Sequence, residues 1–159
     1  MNQKIVSLPV AILMTGLIVG TLDAMAASVH AYAFSGASPD RVFRFVASGV
    51  FGNDALTGGL SVAACGLLFH FIVATGWTAL FYLLYRKINF LGSSKYFFGI
   101  GYGIFIWLMM NFAVIPLSNV PPGTFHFTIR TVFMILIHMF IIGVPISVLA
   151  SRHYSPVAK

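Results

Sequence analysis

Residues 131–151 read TVFMILIHMFIIGVPISVLAS, a run of 21 residues between Arg130 and Arg152 with no charged side chain. A helix needs about 20 apolar residues to cross the hydrocarbon core of a bilayer. This run is long enough to span, and one imidazole, His138, interrupts it. Working outward, 18 uncharged residues separate Lys4 from Asp23 and 16 separate Asp23 from Asp40. Another 31 separate Asp54 from Arg86, and 34 separate Lys95 from Arg130. The spacing predicts one all-α transmembrane domain over 1–159. Its four spans are predicted at about 8–33, 57–84, 96–117 and 129–150. The first span contains Asp23.

The composition agrees. Apolar residues make up 59% of the 159 and charged residues 8%, against roughly 25% charged in a soluble domain. So few charges cannot cover a water-exposed surface. A soluble enzyme, a disordered tail and a nucleic-acid-binding domain are excluded, and the partner is the lipid bilayer. The net charge of +6 fits the gathering of Lys and Arg in cytoplasmic loops. With the N-terminus inside, six cations fall on the cytoplasmic side: Lys4, Arg86, Lys87, Lys95, Arg152 and Lys159. Arg41, Arg44 and Arg130 fall outside, which predicts both termini in the cytoplasm. Lys4, the apolar run to Leu22 and Ala24-Met25-Ala26 also fit a cleaved signal peptide. The apolar pattern continues to Ala33, however, and Gly16, Gly20 and Ala24 form a small-residue ridge suited to a retained, packed helix.

Ser38-Pro39-Asp40-Arg41 has the signature of a helix start, with a capping Ser, Pro in the first turn and an acid beside it. It predicts a short interfacial helix over about 39–50 on the outer surface. Ser118–Gly123 cannot be helical at Pro121-Pro122. Pro116 and Pro145 are expected to kink their helices. Leu68-Phe69-His70-Phe71-Ile72 resembles Leu136-Ile137-His138-Met139-Phe140, and the preceding helices carry Asp23 and Asn111 after glycines. The chain therefore reads as a possible parallel duplication of two helical hairpins.

Polar groups inside a membrane are costly and face the bundle interior. At 1.5 Å per residue, Asp23, His70 and His138 lie about 14–20 Å deep, with Asn111 a turn above them. Small residues share the face of each: Gly59, Ala63, Gly66 and Ala74 with His70, Gly99 and Gly103 with Asn111. Arg130, Met134 and His138 are spaced by four. The four polar residues are thus expected to meet in the bundle core. Several roles stay open for them. A structural Asp–His hydrogen bond would make loss of Asp23 destabilising. A proton or ion relay uses the same residue types. His70 and His138 could be axial ligands of a b-type haem, with Gly66 and Ala74 leaving room for the ring. Asp23, His70 and His138 could hold a metal as two histidines and one carboxylate. Arg41 and Arg44 are expected to share a face of the interfacial helix. With Asp40 and Asp54 nearby, they read either as a membrane-surface anchor or local ion pair or, with Arg130, as candidates for an anion-attracting outer entrance. Cys65 reads as an apolar filler. No nucleophile or catalytic motif is present to support an enzyme.

Several stretches carry a further likeness: Gly16–Ala24, Arg41–Gly52, Gly58-Gly59, Gly66–Phe71, Tyr102-Gly103, Met110-Asn111-Phe112, Ile115–Ser118 and His138-Met139. Together they resemble a family of small bacterial four-helix inner-membrane proteins to which no activity is assigned. The resemblance covers about 16–150. It implies a bacterial cytoplasmic (inner) membrane location and Asp23 inside a retained first helix. The expected role is a small membrane component whose Asp/His cluster holds the bundle together or binds or passes a proton, ion or small ligand. The alternatives are a haem b electron-transfer protein and an accessory subunit of a larger membrane complex or homo-oligomer.

Overall fold

A computed structural model describes residues 6–87, 94–123 and 126–154. Lys4 and Lys159, used in the charge count above, lie outside the described residues. The described chain is helical throughout its regular structure: α1 (Leu8–Ser35), α2 (Pro39–Phe51), α3 (Leu60–Lys87), α4 (Lys95–Leu117) and α5 (Ile129–Tyr154). All but α2 are long and apolar enough to cross a membrane. The predicted spans are recovered to within a few residues at each end.

α1 begins with Pro9 in its first turn and runs unbroken through Asp23. It stops at Gly36, whose φ of 64° closes the last turn through N–H bonds to Tyr32 and Ala31. A left-handed closure of this kind favours glycine. α2 starts at Ser38-Pro39 as the sequence predicts, but it does not merely lie on the surface. Ala47 and Ser48 are fully buried. A Cβ on Gly66 would sit 1.8 Å from the Phe43 carbonyl oxygen, so the backbone of α2 rests on α3. Arg44 ties the arrangement together, bonding the Asp40 carboxylate and, at 2.9 Å, the Gly58 carbonyl. Asn119 reaches across from the end of α4, its backbone N–H to Gly49 and its side-chain amide to Val50, each at 3.0 Å. α2 is therefore a roof clamped over one end of the bundle. The small residues at its contact, Ala47, Ser48 and Gly66, permit the close approach.

Asp40 outside the spans titrates in a predictable direction. The Ser38 hydroxyl, then the Arg44 guanidinium, hold its carboxyl below the ordinary value. A depressed native pKa contributes stability above the unfolded value, which is lost as pH falls through the native one. Asp40→Asn is expected to lower the melting temperature in detergent at pH 7, by a deficit that shrinks as pH falls below the ordinary carboxylate range. A deficit that persists undiminished at pH 3 would place the role of Asp40 elsewhere.

The two hairpins use one packing device. In α1, Cβ atoms on Gly16 and Gly20 would meet Thr75, Phe71 and Ala74 of α3 at 2.7–3.2 Å. In α4, Cβ atoms on Gly99 and Gly103 would meet Val144 and His138 of α5, the latter carbonyl at 2.1 Å. Each Gly-xxx-Gly helix thus crosses its partner just after that partner's histidine. Asp23 falls three residues after Gly20 and Asn111 eight after Gly103, so those two are not equivalent positions. Pro116 and Pro145 each follow a π-helical turn, at Met110–Val114 and His138–Gly143. Proline removes an N–H and crowds the carbonyl four residues back, and a widened turn accommodates both.

Beneath the roof the bundle is open, and at the far end it is dense. Val19, Phe81, Tyr82, Tyr102, Ile106, Ile142, Ile146 and Ala150 form a buried core there. Thr15 and Tyr82 hydroxyls meet at 2.8 Å, Tyr154 donates to the Tyr82 carbonyl at 3.1 Å, and Ser147 donates to the Lys95 carbonyl at 2.7 Å. Interhelical bonds of this kind contribute about 0.6 kcal/mol each, so packing sets most of the closure.

Candidate functional site

Asp23 on α1, His70 on α3 and His138 on α5 come together where two cavities adjoin. The upper cavity, about 380 Å³, lies under α2. Its walls include Phe43, Val46, Trp107, Met110 and Met134, and its rim carries His30, Arg130 and Thr131. The lower cavity is about 70 Å³ and is also lined by Trp77, Met110 and Ile142. Asp23, His70, His138 and Met110 belong to both. Below them Val19, Ile106 and Ile142 are nearly fully buried, so the space ends at the dense core.

The hydrogen bonds of the two rings define their chemistry. His70 Nε2 donates to the Gly20 carbonyl at 2.9 Å, and His138 Nδ1 donates to the Met134 carbonyl at 2.8 Å. A carbonyl can only accept, so the proton of each neutral ring is assigned to that nitrogen. The second nitrogen of each ring is left as an acceptor. The Asp23 carboxylate lies 3.9 Å from His70 Nε2, an ion-pair distance but too long for a hydrogen bond. The site is therefore a carboxylate and two imidazoles with acceptor capacity in excess of donors. The expected Asp–His hydrogen bond is replaced by bonds from each histidine to backbone, and the burial of Asp23 is correspondingly poorly compensated.

The other expected residues separate. Asn111 lines the vestibule wall but spends its amide on the Trp107 carbonyl one turn back, at 2.8 Å. It does not join the cluster by a hydrogen bond. Arg41 is exposed, and Arg44 turns to Asp40 and Gly58, so the two do not form an entrance. Arg130 does stand at the rim, its guanidinium 5.7 Å from the Phe34 ring centroid. Cys65 is exposed on the outside of α3 rather than filling space within the bundle. Among the described residues, no three His, Cys, Asp or Glu side chains form a group that could hold a metal ion. A porphyrin does not fit either. The slot expected at Gly66 is filled by the Phe43 carbonyl, and Ala74 is in contact with Gly20.

The pairing of Trp77 with Met110 and the place of His30 in the wall escaped the sequence reading. Trp77 donates its indole N–H to the Met110 sulfur at 3.4 Å, a pair joined across helices that no spacing rule connects. His30, by contrast, lies seven residues after Asp23, on the same face of α1; that signal was available.

No family model, no curated protein and no solved structure matches the chain. Fold and site define the class on their own: a multi-pass, all-α membrane protein with a carboxylate–imidazole group at the floor of a roofed vestibule.

Proposed function

We propose that Asp23, His70 and His138 form a proton-loading site that exchanges with one face of the membrane through the vestibule. The observation that supports this most is the placing of the only acid within the spans beside two imidazoles, at the junction of two cavities. Intramembrane carboxylate and histidine groups are the usual parts of proton relays. A space of about 380 Å³ also lies within the range of small-ligand sites, so a small ligand can bind above the loaded proton. By the distribution of Lys and Arg, the roof side faces outside the cytoplasmic membrane and both termini lie inside.

The chain has two tryptophans, and each lines one of the two cavities. Their fluorescence reports the site. Purified protein is expected to show a fluorescence change on pH titration, since imidazole and carboxylate protonation alters the charge beside both rings. His70→Gln and His138→Gln together are expected to remove the imidazole share of it. A titration unchanged by the double substitution would refute the assignment.

A further inference from the structure

The outside of the bundle carries a second feature, separate from the vestibule. A groove of about 780 Å³ runs between α1 and α5 and is lined almost wholly by apolar side chains, among them Leu22, Met25, Val29, Phe133, Ile137 and Phe140. Phe34 and His30 close its roof-side end. There the Arg130 guanidinium sits over the Phe34 ring, and His30 Nε2 donates to the Arg130 carbonyl at 3.1 Å, pinning the two helices at the head of the groove. From Leu22 to Phe34 the groove follows about 18 Å of helix at 1.5 Å per residue. That length matches an extended acyl chain. It leaves a cation at the level where a phosphate would lie.

We propose that this groove seats one anionic phospholipid, with an acyl chain between α1 and α5 and its phosphate on Arg130. Charge decides between this occupant and a second copy of the chain. Among the described residues no acid lines the groove, and the chain has three acids against nine Lys and Arg. A symmetric copy packed on the groove would bring Arg130 towards Arg130, because a two-fold interface presents the same patch twice. An anionic headgroup supplies the missing charge. A basic side chain near a negatively charged membrane surface contributes about 1 kcal/mol, or roughly fivefold in affinity.

Native mass spectrometry of the full chain in detergent, with phosphatidylglycerol or phosphatidylcholine added, tests this. The parent is expected to retain one phosphatidylglycerol, roughly fivefold in preference to phosphatidylcholine. Arg130→Gln should remove the preference, and Ala26→Trp, which fills the groove, should reduce retention of both lipids. Inorganic phosphate should not displace the bound lipid. Equal retention of the two lipids by the parent, an unchanged preference in Arg130→Gln, displacement by phosphate, or a dimer that buries Phe133 would each overturn the proposal.

Discussion

Asp23→Leu is expected to raise the melting temperature of the detergent-solubilised protein, by the equivalent of about 1–3 kcal/mol. The reasoning is local. Asp23 lines the cavity with about 21% of its side chain exposed, and its nearest ring nitrogen is 3.9 Å away. Both histidines direct their donor nitrogens to backbone carbonyls instead. Taking Asp23 away therefore strands no hydrogen bond. A partly buried carboxylate with no hydrogen-bonded partner carries a desolvation cost that an apolar group of similar volume does not. This reverses the expectation drawn from the sequence, where an Asp–His bond made loss of Asp23 destabilising. Thermal unfolding at pH 8 decides between them. A lower melting temperature in Asp23→Leu would return the residue to a structural role. A higher one identifies a group kept at a cost to stability, the usual mark of a working site.

Gly103→Leu is expected to have the opposite and larger effect. A Cβ there would lie 2.1 Å from the His138 carbonyl oxygen and 2.6 Å from the Met139 Cα. These are backbone atoms and cannot rotate away. α4 and α5 must separate, which opens the neighbouring contacts of Gly99 and Gly143 and displaces His138 from the cluster. Overpacking a well-packed interior costs about 1–3 kcal/mol and occasionally more; a backbone clash at a Gly-Gly crossing belongs at the upper end. Gly101→Leu is the control, because a Cβ at Gly101 meets nothing within 4 Å. Gly101→Leu should fold and melt like the parent, while Gly103→Leu should lose folded yield. Equal behaviour of the two variants would mean that the α4–α5 crossing is not as close as described.

The spans, the start of α2 at Ser38-Pro39 and the shared level of Asp23, His70 and His138 along their helices were legible because they depend on local properties. Run length, capping residues and helical rise are all written along one segment. The docking of α2 was not legible. It depends on the absence of a Cβ at Gly66 meeting the carbonyl of Phe43, 23 positions earlier in the chain. The ion pair of Arg44 with Asp40 was among the readings the sequence allowed, whereas its second bond, to the Gly58 carbonyl, was not legible. The pairing of Asp23 with a histidine was right in neighbourhood and wrong in bonding. Residue depth can be counted from sequence, whereas the choice of a ring nitrogen between a carboxylate and a backbone carbonyl is set by angstrom-scale helix packing. The prolines at 116 and 145 announced an irregularity, and the π-helical turns before them are the form it took.

The central claim is that protons reach Asp23, His70 and His138 from the roof side alone, since the vestibule, with His30, Arg130 and Thr131 in its wall, lies on that side and the dense core fills the other end. Purified protein in sealed vesicles, with orientation fixed by accessibility of the 118–123 loop, allows the pH of each face to be stepped separately while tryptophan fluorescence is followed. The fluorescence is expected to respond at once to a step on the roof side and to stay constant after an equal step on the side of Lys87 and Lys95. A prompt response to the far side, or to neither, would contradict the account.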